Sequence, residues 1–196
     1  MRTAIIILAA GNSSRMGKPK QLLRFNGHAL LNIVINESLK TTFRPVVVVL
    51  GAYAATIKEA SAYKDVTYTI NEDWENGLSS SISFGLNTAL TVDADLENAI
   101  ITVADQVHIS SAIFEELHRK QRLTKKNIVA CSYSQTTGTP ALFNKKYFDD
   151  LLALSGENGA KRLIKQYIDD TATIPFELGK VDIDTETDYS NLINQK

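Results

Sequence analysis

The sequence predicts a three-layer α/β sandwich around a mostly parallel sheet. Three observations lead there. Short, continuous apolar runs rich in β-branched residues recur along the chain without alternation, so both faces of each must be covered. Amphipathic stretches of helical period separate them, which is the rhythm of βαβ units with right-handed crossovers. The 196 residues are 44% hydrophobic and 22% charged, which suits one domain whose core needs no disulfide or metal staple.

Taken in order, buried strands are expected at residues 4–10, 45–51, 99–104 and 127–131. Residues 66–70 alternate more and belong nearer an edge. Helices are expected over 30–39, 55–62, 78–90 and 110–121, the last with Ser110 as N-cap. Beyond Tyr133 the rhythm loosens: short strands at 140–143, 173–176 and 181–184, helices at 145–154, 159–167 and 185–194. Thr185 and Asp188 have the spacing of a capping box.

Composition excludes several classes of function. A net charge of −1 provides no global field toward nucleic acid or an anionic membrane. Cys131 is the single cysteine, so no disulfide framework or cysteine zinc cluster can form within the chain. No apolar run approaches the roughly 18 residues of a membrane span. Arg2 and the run 4–10 could open a signal peptide, but they lead into Gly-Asn-Ser-Ser-Arg rather than a small-residue cleavage site. The expected compartment is the cytoplasm.

The charge is unevenly placed. Residues 1–36 carry Arg2, Arg15, Lys18, Lys20 and Arg24 and no acid, a net of +5; the other 160 residues hold 16 bases and 22 acids, a net of −6. Four of those cations lie within ten positions directly after the first strand, where open α/β sheets bind ligands. The loop Gly11-Asn-Ser-Ser-Arg-Met-Gly17-Lys-Pro-Lys20 has glycines that let backbone N–H groups approach a ligand, hydroxyls at Ser13 and Ser14, a planar fork at Arg15 and a mobile charge at Lys20. That set suits a nucleoside triphosphate. It is not a Walker A loop, because five residues separate Gly11 from Gly17 and Pro19 follows Lys18. Nor is it a dinucleotide fingerprint, since Ser13 and Met16 stand where glycines are needed.

The string Leu8-Ala-Ala-Gly-Asn-Ser-Ser-Arg-Met-Gly-Lys-Pro-Lys-Gln-Leu-Leu23 resembles the signature of nucleotidyltransferases, and among them the MobA-like NTP transferases that act on molybdenum cofactor. Asn71-x-x-Trp74-x-x-Gly77, Ala104-Asp-Gln106, Gly138-Thr-Pro140, Gly156-x-x-Gly159-Ala160 and Asp182-Ile-Asp-Thr-x-x-Asp-Tyr189 follow in the family's order. The start is spelled as in cytidylyl rather than guanylyl members. The resemblance implies a Rossmann-like, nucleotide-diphospho-sugar-transferase fold and transfer of a nucleoside monophosphate, CMP from CTP, with release of pyrophosphate. It implies that Leu8, Ala9 and Ala10 face the base, that Gly11, Ser13, Arg15 and Lys20 hold the triphosphate, and that Asn71 and Gly77 lie near base or ribose. Asp105 and Asp184 would hold Mg2+, with Arg15 and Lys20 the catalytic cations. Residues 1–110 would form the NTP half and 111–196 the half that binds a phosphorylated acceptor, molybdopterin or its molybdenum form, near 138–140 and 159–161. The alternatives are a sugar or polyol phosphate acceptor, or a non-catalytic carrier serving a molybdoenzyme. Val107 departs from the family by replacing its usual proline, which bears on acceptor fit.

The residues themselves agree with this chemistry. Nucleotidyl transfer needs charge neutralisation and in-line alignment rather than a covalent nucleophile. A phosphomonoester is already mostly ionised at neutral pH, so no general base is required. Asp105 ends a strand, where ligand sites form; as a turn residue it would be unremarkable. Asp182 and Asp184 share one face of their expected strand, with Asp184 at its end as the ligand and Asp182 structural. Lys20 is expected at a helix start and Lys18 in solvent. Trp74 and Cys131 read as packing residues, His28 and His118 as surface or packing residues, and His108 as a lesser candidate for substrate contact. The serines at 79–81 open a helix, and the pattern does not say which would touch a ligand.

Overall fold

A computed structural model describes residues 1–156 and 159–194. β1 (Thr3–Ala9) leads through a 3-10 turn at Lys20–Leu22 to an antiparallel ribbon of β2 (Arg24–Phe25) and β3 (His28–Ala29), then α1 (Leu30–Leu39). β4 (Val46–Leu50), α2 (Ala54–Ala60), β5 (Thr67–Ile70), α3 (Leu78–Val92), β6 (Asn98–Val103) and α4 (Ser111–Thr124) follow. The remainder is β7 (Ile128–Tyr133), β8 (Thr136–Asn144), α5 (Phe148–Leu152), α6 (Lys161–Gln166), β9 (Thr171–Pro175) and α7 (Glu186–Asn194).

Seven strands form one sheet in the order β5-β4-β1-β6-β8-β7-β9. Only β8 runs against its neighbours. The sheet is sandwiched as its unbroken apolar runs require. Ile6 and Leu8 of β1 join the core under α3, α5 and α6, while Ile5 and Ile7 join the core under α1, α2 and α4. Gly85 lets α3 approach closely, since a Cβ there would come within 2.5 Å of Ile6 Cγ2. From β1 the chain builds outward through β4 to β5, then returns to place β6 on the other side of β1. Strand order therefore reverses between β1 and β6, and their carboxyl ends open a crevice there.

β5 lies at the edge, as its alternation predicts. Several local expectations are corrected. Lys20 opens a three-residue 3-10 turn rather than a helix, because Pro19 and Leu23 on either side are extended. The ribbon that follows turns at Asn26 and Gly27, φ 50° and 85°, a hairpin signal that an apolar pattern alone passes over. The strand expected at 140–143 spans Thr136–Asn144 and pairs with β7 through a two-residue turn. Ser134 and Gln135 there take φ of 46° and 60°, a conformation their residue types do not advertise. Residues 181–184 form no strand. The helices expected over 145–154 and 159–167 shrink to α5 and α6 with 3-10 turns beside them. Ser110 precedes α4 in extended conformation but makes no side-chain cap; Glu37 Oε2 instead accepts from Ser111 N at 2.9 Å. The Thr185–Asp188 box forms: Asp188 Oδ2 accepts from Thr185 N at 2.8 Å and Thr185 Oγ1 from Asp188 N at 3.1 Å.

One polar junction ties the far edge of the sheet together. Asp170 accepts from Asn127 N at 3.0 Å, Tyr147 Oη at 2.7 Å and Lys146 Nζ at 2.8 Å. Burial opposes its charge, but these donors outweigh burial and hold its carboxyl well below the usual range. Its contribution to stability is therefore present above the unfolded carboxyl pKa near ~4 and lost as pH falls below it. Asp170→Ala is expected to cost about 1–3 kcal/mol in urea unfolding at pH 7, with the gap to wild type closing in strong acid.

Candidate active site

The loop after β1 and the segment before α7 reach the β1/β6 crevice together because one small core holds both. Met16 of the loop, Leu30, Val107, Ile183 and Leu192 are buried against one another. Val107 thus fills this core, joining the strand-end loop that carries Asp105 to both charged segments. Ile183 is fully buried, which turns Asp182 and Asp184 to the opposite side of the segment.

The charges meet there. Lys20 Nζ lies 2.5 Å from Asp105 Oδ2 and 2.9 Å from Asp184 Oδ1, and Arg15 lies 2.5 Å from Asp184 Oδ2. Burial disfavours the Lys20 ammonium, but the two carboxylates overcome it and push its pKa up to about 12. Burial likewise opposes ionisation of Asp184, and Lys20 and Arg15 outweigh it and lower its pKa. Oxygens of Asp105, Asp182 and Asp184 lie within 4.8 Å of one another. Burial, with Asp105 nearby, pushes Asp182 up to about 6. Asp182, expected to be structural, thus lies in the same carboxylate cluster as Asp105 and Asp184, and its spacing of two from Asp184 is the signal that places it there. Three hard oxygen donors converging on one point form a ligand set that suits Mg2+ or Mn2+.

Three cavities share Leu8 and Leu78 in their walls, and one of them reaches the charge cluster. One of about 170 Å3 carries Ala9, Gly11, Lys20 and Asp105. A second, about 380 Å3, carries Ala10, Gly11, Asn12, Trp74, Gly77 and Ser81. The third, about 290 Å3, carries Tyr133, Gly138, Thr139 and Lys161. Gly77 takes φ +91°, ψ −177°, a region open essentially only to glycine, and so presents the start of α3 without a side chain.

Some expected contacts take another form. Asn71 is fully buried behind the cavity wall, with Nδ2 donating to Ser80 Oγ at 2.9 Å and Ser81 Oγ at 3.1 Å. It supports the wall rather than lining it, and of the three serines Ser81 reaches the cavity. Ser13 takes φ 50°, and its Oγ accepts from Lys20 N at 3.1 Å, closing the loop on itself. Lys18 pairs with Glu186 at the surface. His108 packs edge-on against Phe25 and lines none of these cavities. Trp74 packs on the core while also facing the larger of the two cavities beside Gly11. Cys131 is buried, which pushes its thiol up to about 12 and leaves it inert.

A Rossmann-like sheet with a basic loop and a carboxylate cluster at its switch point is the architecture of a nucleotidyltransferase, and sequence comparison agrees. The chain belongs to the MobA-like NTP transferase family, whose domain matches residues 5–171. Purine catabolism protein PucB of Bacillus subtilis is 27% identical over 82% of this chain and 79% of its own. A probable molybdenum cofactor guanylyltransferase of Natranaerobius thermophilus is 30% identical over 63% of this chain and 57% of its own. The crystal structure of Rv0371c of Mycobacterium tuberculosis in complex with manganese superposes with a TM-score of 0.81 at 22% identity, covering 100% of both chains. Among the described residues, no helix is long and apolar enough to cross a membrane.

Proposed function

We propose that this nucleotidyltransferase moves CMP from CTP onto a phosphorylated acceptor of the molybdopterin class in a Mg2+-dependent reaction. The observation that carries this reading is the meeting of Arg15 and Lys20 with Asp105, Asp182 and Asp184 where strand order reverses. In the reaction a phosphomonoester oxygen of the acceptor forms a bond to the α-phosphorus of the triphosphate. The bond from that phosphorus to the β-bridging oxygen breaks, and pyrophosphate carries the electron pair away. Lys20 and Arg15 stabilise the charge that grows on the leaving oxygens. A divalent cation held by Asp105, Asp182 and Asp184 would neutralise the triphosphate, and the manganese bound by Rv0371c supports a hard cation here.

Residues 1–110 are read as the NTP half and 111–196 as the acceptor half. One cavity is lined wholly by the first, while the other takes its polar lining from the second and Leu8, Leu78, Ile82 and Ile101 from the first. The one with Ala10, Trp74 and Gly77 suits base and ribose, and the one with Tyr133, Gly138 and Lys161 suits the acceptor. Preference for CTP rests on Ala10, which lines the first of these, and on the family resemblance, whose cytidylyl members carry alanine there. The test is pyrophosphate release with CTP, GTP, ATP and UTP, each with Mg2+ or Mn2+, against molybdopterin and against sugar and polyol phosphates. CTP with molybdopterin is expected to be fastest. Faster release with GTP overturns the base assignment, and no release with any pair overturns transfer itself.

A further inference from the structure

Gln21 stands next to Lys20 and is only 3% exposed, yet nothing in the chemistry above employs it. Its Nε2 donates to Ala9 O at 2.9 Å and to Gly11 O at 3.0 Å. Both acceptors are carbonyls, so the amide's orientation is fixed and Oε1 is left buried with no partner among the described residues. A peptide unit is planar and trans, so its N–H points opposite to its C=O. Fixing the carbonyls of Ala9 and Gly11 toward Gln21 therefore turns the N–H groups of Ala10 and Asn12 away from it. Among the described residues neither N–H has a hydrogen-bond partner, and both residues line the 380 Å3 cavity.

We infer that Gln21 is a positioning residue that aims two backbone donors, Ala10 N–H and Asn12 N–H, at the nucleotide. This rests on the reading of that cavity as the nucleotide site. One side chain thus holds two peptide units at the end of β1 in the orientation that presents these donors. Gln21 also lines the 170 Å3 cavity beside Lys20 and Asp105. A buried acceptor without a partner is costly, and its retention is explained if a donor arrives with the ligand.

The test compares wild type with Gln21→Met, which keeps the shape and removes the donor, and Gln21→Glu, which puts an acceptor against two carbonyls. Backbone 15N spectra are recorded with and without CTP, GTP, ATP or UTP, alongside kinetics. In wild type, bound nucleotide is expected to shift the Ala10 and Asn12 amides. In Gln21→Met those shifts are expected to collapse and KM for the nucleotide to rise at least tenfold, with KM for the acceptor unchanged; Gln21→Glu should be worse. The inference is overturned if Gln21→Met shows the same amide shifts and nucleotide KM as wild type, whatever its thermal stability, or if no nucleotide perturbs those amides in wild type. Failure of wild type to release pyrophosphate would instead sink the transfer reading, and the amide shifts would still decide the role of Gln21.

Discussion

Lys20→Ala should lower kcat by about 10²–10³-fold, the usual cost of deleting one preorganised charge donor at a transition state. The same substitution should destabilise the protein, because Lys20 is the cation shared by Asp105 and Asp184. Removing one partner from a fully buried ion pair costs about 3–5 kcal/mol. The Lys20 side chain is 20% exposed, so about 2–3 kcal/mol is expected here. Two controls identify the cause. The deficit should shrink as pH falls from the unfolded carboxyl value of about 4 through the lower folded value of Asp184, whose charge Lys20 favours. It should also shrink in millimolar Mg2+, since a cation that binds only the folded state stabilises it. A loss of stability indifferent to both pH and Mg2+ would mean that Lys20 acts through packing alone.

Asp105→Asn is expected to abolish turnover to a similar or greater degree, about 10³-fold, while leaving the fold within roughly 1 kcal/mol of wild type. The shape is kept, Lys20 retains Asp184 at 2.9 Å, and one of three crowded negative charges is gone. Mn2+ titration followed by electron paramagnetic resonance should show weakened binding in this variant. Full activity together with unchanged Mn2+ affinity would remove Asp105 from the site. The experiment also separates an enzyme from a carrier, because a carrier would still activate its partner without this carboxylate.

The buried parallel strands and the helices between them were legible because periodicity reports burial directly. β4 is an unbroken apolar run, β1 is one after Thr3, and β6 is interrupted after Asn98 only by Thr102, which suits the centre of a covered sheet. Arg15 and Asp105 stand out by residue type and position after a strand, and Lys20 and Asp184 by the family resemblance; the structure brings the four charges together. What escaped depends on partners distant in sequence. The β7–β8 hairpin turns on Ser134 and Gln135, whose positive φ is imposed by strand pairing rather than by their own preference. Asp182 joins the cluster only once Ile183 has docked against Met16 and Val107. Asn71 has the residue type of a ligand contact, but being fully buried it serves the wall instead. A pattern along the chain cannot distinguish a polar side chain that faces a ligand from one that supports the residue doing so.

The cluster of Met16, Val107, Ile183 and Leu192 has a mechanical consequence. The cations ride on one side of it and two of the carboxylates on the other, so their separation is set by a handful of apolar contacts outside the great sheet. Trimming Leu192, a residue of the last helix with no charge to offer, would slacken both rims of the cleft together.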